Sequence, residues 1–278
     1  MCINKLKKNP SKFVIIGGKG GVGKTTISSA IAYMFSSSHN TLLASIDPTH
    51  NLSSTFSSNL EDVTIFPFNK TLSLLEISLK EITISLDHEY LRTISNISGI
   101  TEAIAIHKIY QHCKNYETIV LDTSVSAFVK ALTFPTLFNT FLNKNKYIHD
   151  KLSKYALYTT VLNTLDTLRD VKKETKFLLT LTPAYISVYN TKNDIELLDN
   201  YDIETDGIII NKILNKKYSA EGCSNCNNFI KVQNKHLKTI DDEFGKNMGV
   251  VKIYNRNKEE LNIEDIKEIS KQIDEQMK

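Results

Sequence analysis

A cluster of glycines near the N-terminus constrains the fold of this chain more than any other feature. Of the ten glycines in 278 residues, five fall between positions 17 and 23, in the sequence GGKGGVGKTT. The cluster follows an apolar run (13–16) and precedes an amphipathic helical pattern (25–35), so it is predicted to connect a strand to a helix. Glycines let successive backbone N–H groups surround an anion, and a helix N-terminus adds favourable partial charge. The cluster therefore predicts a phosphate-binding loop.

The spacing within this loop assigns roles to individual residues. Gly18, Gly23, Lys24 and Thr25 satisfy the pattern G-x₄-G-K-[ST], which binds nucleotide phosphates. We expect Lys24 to reach the β- and γ-phosphates of ATP and the Thr25 hydroxyl to ligate Mg²⁺. The loop residues of the predicted nucleotide site are Gly18, Lys19, Gly20, Gly21, Val22, Gly23, Lys24, Thr25 and Thr26.

Short apolar runs alternate with helical patterns along the chain. The runs are 13–16, 42–46, 72–77, 118–121, 177–181, 207–210 and 250–253. Nearly continuous apolar runs are typical of strands buried on both faces, and the alternation predicts an α/β fold with a doubly wound, mostly parallel sheet. The ranges 80–99 and 138–176 are helical in character. They predict a reduced α-helical insert within a single P-loop ATPase domain over 1–278.

Net charge and hydropathy bear on the partners of the protein and on its cellular compartment. The net charge of +3 is too close to neutral to indicate nucleic acid or an anionic membrane as the main partner. No stretch approaches the roughly 18 apolar residues of a membrane span, and the N-terminus lacks the apolar core of a signal peptide. We therefore expect a cytoplasmic protein with reduced thiols.

A further lysine in the loop, Lys19, has two interpretations. It is either a solvated charge, or a side chain that crosses a dimer interface to the partner's nucleotide. KGGVGKTT (19–26) resembles the deviant P-loop of a superclass of dimeric ATPases. That superclass includes partition and cell-division ATPases, nitrogenase iron protein, arsenical pump ATPases and tail-anchored protein targeting ATPases. The resemblance implies the second interpretation.

The segment after the next strand resembles two members of that superclass in particular. DPTHNLS (47–53) is similar to the D-P-A-H-N-L-S segment of the arsenical pump and tail-anchored protein targeting ATPases. A carboxylate that leaves the strand beside the P-loop can orient or activate the attacking water. The resemblance implies that Asp47 is the hydrolytic residue, with His50 and Asn51 in its mobile loop. Taken alone, Asp-Pro after a strand is equally ordinary turn chemistry.

The resemblance covers almost the whole chain. TIVLDTS (118–124) looks like the Walker B strand, which implies that Asp122 holds the shell of the Mg²⁺ ion. IIINKIL (208–214) resembles the segment whose asparagine contacts adenine, which implies that role for Asn211.

Three segments depart from the family. The family's D-T-A-P-T-G-H reads D-T-S-V-S-A-F here, its P-E-F glutamate is replaced by Ala184, and its proline-containing adenine loop is IYNRNKEEL (253–261). Because glycine in the first segment permits backbone rotation when the γ-phosphate leaves, its loss predicts slow hydrolysis.

Cys223 and Cys226 stand at metal-ligand spacing, in C-S-N-C. Zn²⁺ prefers four ligands in a tetrahedron, and a two-fold axis through a dimer would supply the other two thiolates. The resemblance implies such a shared Zn²⁺ site. The alternatives are a redox pair or cysteines without a role.

Together these segments imply a homodimeric ATPase that binds the hydrophobic C-terminal membrane segments of tail-anchored proteins and delivers them to an endoplasmic reticulum receptor. A set of apolar residues either lines a groove for that cargo or packs under the sheet. The set comprises Phe128, Leu132, Phe134, Leu137, Phe138, Phe141 and Leu142. Two alternatives remain open: a nucleotide-gated interaction module with weak or no hydrolysis and no tail-anchor cargo, and an arsenite-responsive ATPase.

Overall fold

The computed structural model describes most of the chain. The described residues are 6, 10–46, 51–58, 60, 64–85, 92–145, 156–215, 223–246, 248–256, 258 and 261–277. Within these residues, one sheet contains eight strands in the order β3-β4-β2-β5-β1-β6-β7-β8. The strands are β1 (Phe13–Gly17), β2 (Thr41–Ser45), β3 (Phe66–Pro67), β4 (Leu72–Glu76), β5 (Thr118–Asp122), β6 (Thr175–Leu181), β7 (Thr205–Ile213) and β8 (Gly249–Tyr254).

The predicted sheet is confirmed. Each apolar run of the sequence corresponds to a strand, and these strands pair in parallel. The edge strand β3 was not predicted. It contains two residues and runs antiparallel to β4, and a strand of that length shows no periodicity in the sequence.

Helices connect the strands. They are α1 (Lys24–Phe35), α2 (Asn51–Thr55), α3 (Leu79–Ser85), α4 (Arg92–Ser95), α5 (Ile100–Tyr110), α6 (Val125–Lys144), α7 (Ala156–Lys173), α8 (Tyr185–Asp199), α9 (Ser224–Glu243) and α10 (Ile263–Gln276), with a 3₁₀ turn at Cys113–Asn115. Helices α3, α4 and α7 and the end of α6 occupy the ranges predicted for the insert. The division of the chain into a domain and an insert stays a prediction.

The core lies on both faces of the sheet. In β1, Phe13 and Ile15 pack into the cluster that contains α5, α6 and α7, whereas Val14 and Ile16 pack into the cluster that contains α1 and α10. This alternation follows from the pleat of a strand, which sends successive side chains to opposite faces. The result is the three-layer arrangement of a doubly wound fold.

The apolar set on α6 packs mostly inside the protein. Its buried members are Phe128, Phe134 and Phe138, and its partly buried members are Leu132, Phe141 and Leu142. Only Leu137 within this set counts as exposed, at 43%. Of the two interpretations of these residues, the structure favours packing against the core over an open groove.

Helix α6 also corrects one expectation from hydropathy. Its length and composition alone would let it cross a membrane, with a mean hydropathy of 1.3 over an 18-residue window. A third of that window, 33%, is buried, and its aromatic side chains belong to the core cluster beside the sheet. A buried core helix of a soluble protein meets the same criteria, so the helix gives only weak support for a membrane span.

Candidate active site

The carboxyl ends of the central strands bring the predicted site together. In the sheet register, Asp122 at the end of β5 pairs with Ile16 of β1 and with Ser45 of β2. The loops that leave these strands therefore start side by side at one edge of the sheet. In open parallel sheets, this edge is where ligands bind.

The P-loop needs glycine at two of its turns. Gly18 has φ of 139° and Gly23 has φ of 91°, both in the region that side chains disfavour. A Cβ on Gly18 would lie 2.4 Å from the carbonyl oxygen of Thr180, and a Cβ on Gly23 would lie 2.3 Å from Nδ2 of Asn211. The loop therefore packs closely against β6 and β7, and neither glycine tolerates a side chain.

A cavity of about 710 Å³ opens beside this loop, within the usual range for ligand pockets. The loop and the start of α1 line one wall through Gly20, Gly21, Gly23, Lys24, Thr25 and Thr26. Residues from α2, the end of β7 and the segment around β8 and α10 line the rest. Lys24 is the first residue of α1, is buried and lines the cavity at the predicted phosphate site.

Thr25 and Asp122 form the centre of the predicted magnesium site. The Thr25 hydroxyl donates a hydrogen bond of 2.6 Å to Oδ2 of Asp122, whose side chain is fully buried. The Ser45 hydroxyl lies 3.5 Å from the same oxygen. A hydroxyl and a carboxylate beside a phosphate loop are the oxygen ligands that Mg²⁺ uses in P-loop proteins. The residues therefore fit the ion.

Glu76 is a site residue that the sequence did not single out. This buried carboxylate ends β4, accepts the backbone N–H of Leu52 at 3.1 Å and accepts the hydroxyl of Ser53 at 2.9 Å. It thereby fixes the start of α2 against the sheet. The signal in the sequence was an acidic residue that closes an apolar run.

The predicted hydrolytic residue Asp47 and its neighbour His50 lie outside the described residues. Asn51 is the first residue of α2. The flanking segment is anchored at its start, because the N–H of Ile46 donates to the carbonyl of Asp122 at 3.2 Å. The roles assigned to Asp47, His50 and Asn51 stay predictions.

Lys19 precedes Gly20, which lines the cavity, but Lys19 itself does not line it. It is absent from the described residues that line that cavity, and its side chain is 50% exposed. Its ammonium lies 3.5 Å from Oδ1 of Asp194 on α8, a carboxylate that is 6% exposed. Burial raises the pKa of Asp194, and the neighbouring Lys19 opposes that rise. Sequence spacing gives no hint of this pair, because its members are far apart in the chain.

Asn211 binds the P-loop in this structure. Its Nδ2 donates to the carbonyl of Val22 at 2.9 Å, and its side chain lines the cavity. The position is compatible with a base-binding role, and the contact with adenine stays a prediction.

The loop between β8 and α10 brings two cations to the cavity wall. Arg256 Nε lies 3.1 Å and Lys258 Nζ lies 2.8 Å from Oδ1 of Asp265, which is buried. Asp265 also forms a capping box with Asn262 at the start of α10. Both cations are therefore held by a carboxylate of their own chain.

The segment after Asp122 is already helical. Ser124 caps α6 by accepting a hydrogen bond of 3.1 Å from the N–H of Ala127, and the helix begins at Val125. A capped helix without glycine resists backbone rotation at this point of the chain.

Cys223 and Cys226 start α9. Cys223 is the N-cap, and its sulfur accepts the N–H of Cys226 at 3.3 Å. This hydrogen bond lowers the pKa of the Cys223 thiol and favours the thiolate that binds metals. Within the described residues, no group of three or more His, Cys, Asp or Glu side chains could hold a metal ion. The pair fits half of a Cys₄ site, and the other ligands would have to come from elsewhere.

Known proteins resemble the chain over nearly its whole length. The family model described as "Anion-transporting ATPase" matches residues 11–275. The protein named "ATPase ASNA1 homolog 2" from Paramecium tetraurelia is 27% identical, over 86% of this chain and 87% of that protein. The protein named "ATPase get3" from Schizosaccharomyces pombe is 27% identical, over 90% of this chain and 87% of that protein.

Proposed function

Because the chain belongs to the anion-transporting ATPase family, we propose that it is a homodimeric factor that carries tail-anchored proteins through the cytosol. Family membership makes it an ATP hydrolase, with ATP and Mg²⁺ as its ligands. In our proposal, nucleotide binding closes the dimer around a hydrophobic C-terminal membrane segment. Hydrolysis then reopens it at a receptor on the endoplasmic reticulum membrane.

The nucleotide site follows from the geometry of the loop. The backbone of the loop and Lys24 would hold the triphosphate, because both line the cavity at the N-terminus of α1. Thr25 and Asp122 would hold Mg²⁺, which neutralises charge on the transferred phosphate. Asp47 would orient the attacking water.

The surroundings of Lys19 are the observation that carries the dimeric proposal. A lysine that served its own triphosphate would line its own cavity. Lys19 instead lies outside that cavity and is half-exposed, and among the described residues its ammonium pairs with Asp194. In a face-to-face dimer, the same side chain would reach the nucleotide of the partner subunit.

A shared Zn²⁺ ion would hold the dimer together between cycles. Cys223 and Cys226 are both partly accessible at the start of α9, where a second copy can approach them. Two such pairs related by a two-fold axis supply four thiolates. The ion would have a structural role and would leave the ATP site unchanged.

Exposed apolar side chains of the insert are candidates for cargo contact. Ile84 on α3 is 57% exposed, Leu137 on α6 is 43% exposed and Leu162 on α7 is 36% exposed. Because Phe128, Phe134 and Phe138 of α6 are buried, a cargo groove would have to be assembled from such exposed residues, with a contribution from the partner subunit. Apolar grooves of this kind receive amphipathic or membrane-spanning helices.

Photo-crosslinking tests the cargo role. A crosslinker placed at Leu137 or Leu162 should capture a synthetic tail-anchor segment when an ATP analogue is bound. A crosslinker at the exposed Val232 of α9 serves as the matched control and should capture little. If neither insert position captures the segment in any nucleotide state, the cargo role is wrong.

A second candidate function is a nucleotide-gated interaction module with little or no turnover. The capped start of α6 favours it, because a fixed segment transmits loss of the γ-phosphate poorly. Turnover of the native chain and of Asp47→Asn separates the two candidates. Equal, negligible turnover with ATP still bound would support the module and remove the targeting enzyme. Arsenite stimulation, if measured, would instead favour an arsenite-responsive ATPase.

A further inference from the structure

The end of strand β7 directs a lysine at the P-loop. The register between β7 and β8 shifts between Ile210 and Ile213, and Lys212 within that shift has φ of 58°. A side chain disfavours this left-handed backbone, and such outliers persist where the surrounding structure holds them, often at functional sites. Irregularities of this kind re-aim a side chain next to a site.

Hydrogen bonds hold this irregular segment against the loop. The N–H of Lys212 donates to Oδ1 of Asn211 at 2.8 Å, while Nδ2 of Asn211 donates to the carbonyl of Val22 at 2.9 Å. The ammonium of Lys212 donates to the carbonyl of Gly21 at 2.7 Å. Two successive residues of β7 thus bind two successive carbonyls of the P-loop.

Lys212 differs from Arg256 and Lys258, two other cations of the cavity wall, in how its charge is paired. Arg256 and Lys258 are both bound to Asp265. Among the residues that the structure describes, no carboxylate lies within 4.0 Å of the Lys212 ammonium, which contacts the neutral Gly21 carbonyl. The wall therefore carries a positive charge that none of the described carboxylates neutralises.

We propose that Lys212 is a further binding residue for the polyphosphate of ATP, in addition to Lys24. When the nucleotide enters, the ammonium exchanges the Gly21 carbonyl for a phosphate oxygen in the same subunit. A charge-assisted hydrogen bond to phosphate is stronger than one to a neutral carbonyl, and a cleft concentrates the attraction. The inference rests on the proposed use of the P-loop as the nucleotide site, and it adds a residue outside the G-x₄-G-K-[ST] pattern.

Dissociation constants for ATP, ADP and adenosine, measured by calorimetry at low salt, test the inference. We expect Lys212→Gln to weaken ATP binding about tenfold and adenosine binding by less than about twofold, because only the phosphate contact is lost. Lys212→Arg should retain most of the affinity. Lys114→Gln removes the same charge from an exposed position before β5, at the opposite edge of the sheet, and should bind ATP normally.

A second variant shows whether a loss of ATP affinity comes from the missing ammonium or from a folding defect. Lys212→Gly relieves the left-handed backbone and removes the ammonium, so it should also lose ATP affinity about tenfold while remaining folded. If the affinities for adenosine and ATP fall equally, Lys212 only holds the P-loop in its conformation, and the inference is overturned. Unchanged ATP affinity would overturn it as well. A native chain that binds no ATP would contradict the proposed nucleotide site itself.

Discussion

Two parts of the nucleotide site differ in how completely one chain builds them. In the first part, Lys24 and Asp122 are buried, and the half-buried Thr25 donates a hydrogen bond to Asp122 inside the subunit. Around Lys19 and the Cys223–Cys226 pair, the groups are partly exposed, and each has only part of the partners that its proposed role needs. The difference fits our proposal that one subunit binds the phosphates by itself, and that a second copy is needed to complete the catalytic site and the zinc site.

The largest effect should come from the part that one chain completes. Lys24→Ala removes the buried ammonium at the phosphate site, and we expect both ATP binding and turnover to fall by about 10³-fold or more. Filter binding and a phosphate-release assay measure the two losses. If ATP still binds with near-native affinity, the cavity beside the loop is not the nucleotide site.

Lys19→Ala should separate binding from turnover. Because Lys19 lies outside its own cavity, ATP affinity of the isolated subunit should change by less than about twofold, while turnover falls about 10²-fold. Lys130→Ala, an exposed lysine on α6, is the matched control. If Lys19→Ala loses ATP affinity and turnover in parallel, Lys19 acts on the nucleotide of its own subunit. The two parts of the site would then not differ as described.

The cysteine pair should affect assembly and leave nucleotide affinity unchanged. Replacing Cys223 and Cys226 by serine should remove about one Zn²⁺ ion per dimer and weaken dimerisation about tenfold. Metal analysis and analytical ultracentrifugation report the two effects. Cys113→Ser, which changes a cysteine outside the pair, should leave both unchanged. Zinc content that survives the double substitution would refute the shared site.

The smallest effect concerns Asp194. Burial raises its pKa in the folded state, so this carboxyl contributes stability below the unfolded pKa that is lost as pH rises through the folded pKa. The Asp194→Asn variant has no carboxyl at this position, so its stability does not fall in this way as pH rises. At pH 7 we therefore expect its free energy of unfolding to exceed that of the native chain by up to about 1 kcal/mol, with the difference vanishing below the unfolded pKa, at about pH 3. Urea unfolding at both pH values measures it. A variant that is less stable at pH 7 would mean that the Lys19 pair outweighs desolvation.

The sequence predicted what lies within continuous segments. The strands appeared as apolar runs, and Thr25 and Asp122 were each assigned to magnesium from a motif of their own. The structure brings the two side chains together because β1 and β5 are neighbours in the parallel sheet. Contacts between distant segments carried no such signal. Lys19 with Asp194, and Lys212 with Gly21, join residues whose proximity depends on loop geometry and backbone irregularity.

The apolar residues of α6 show a different limit of sequence reasoning. Their helical spacing was compatible with a groove and with a core, and burial alone decides between these interpretations. The mean hydropathy of the helix was equally ambiguous, because core helices and membrane spans share it.

A mixing experiment tests the dimeric account most directly. Lys19→Ala and Lys24→Ala chains should each be inactive alone. In a mixed dimer, the Lys19→Ala subunit keeps Lys24 for its own phosphates, and its partner supplies an intact Lys19. Equimolar mixing should therefore restore about a quarter of native turnover, since half of the dimers are mixed and each contains one complete site. If mixing restores no turnover although mixed dimers form, Lys19 acts within its own subunit and the account is wrong.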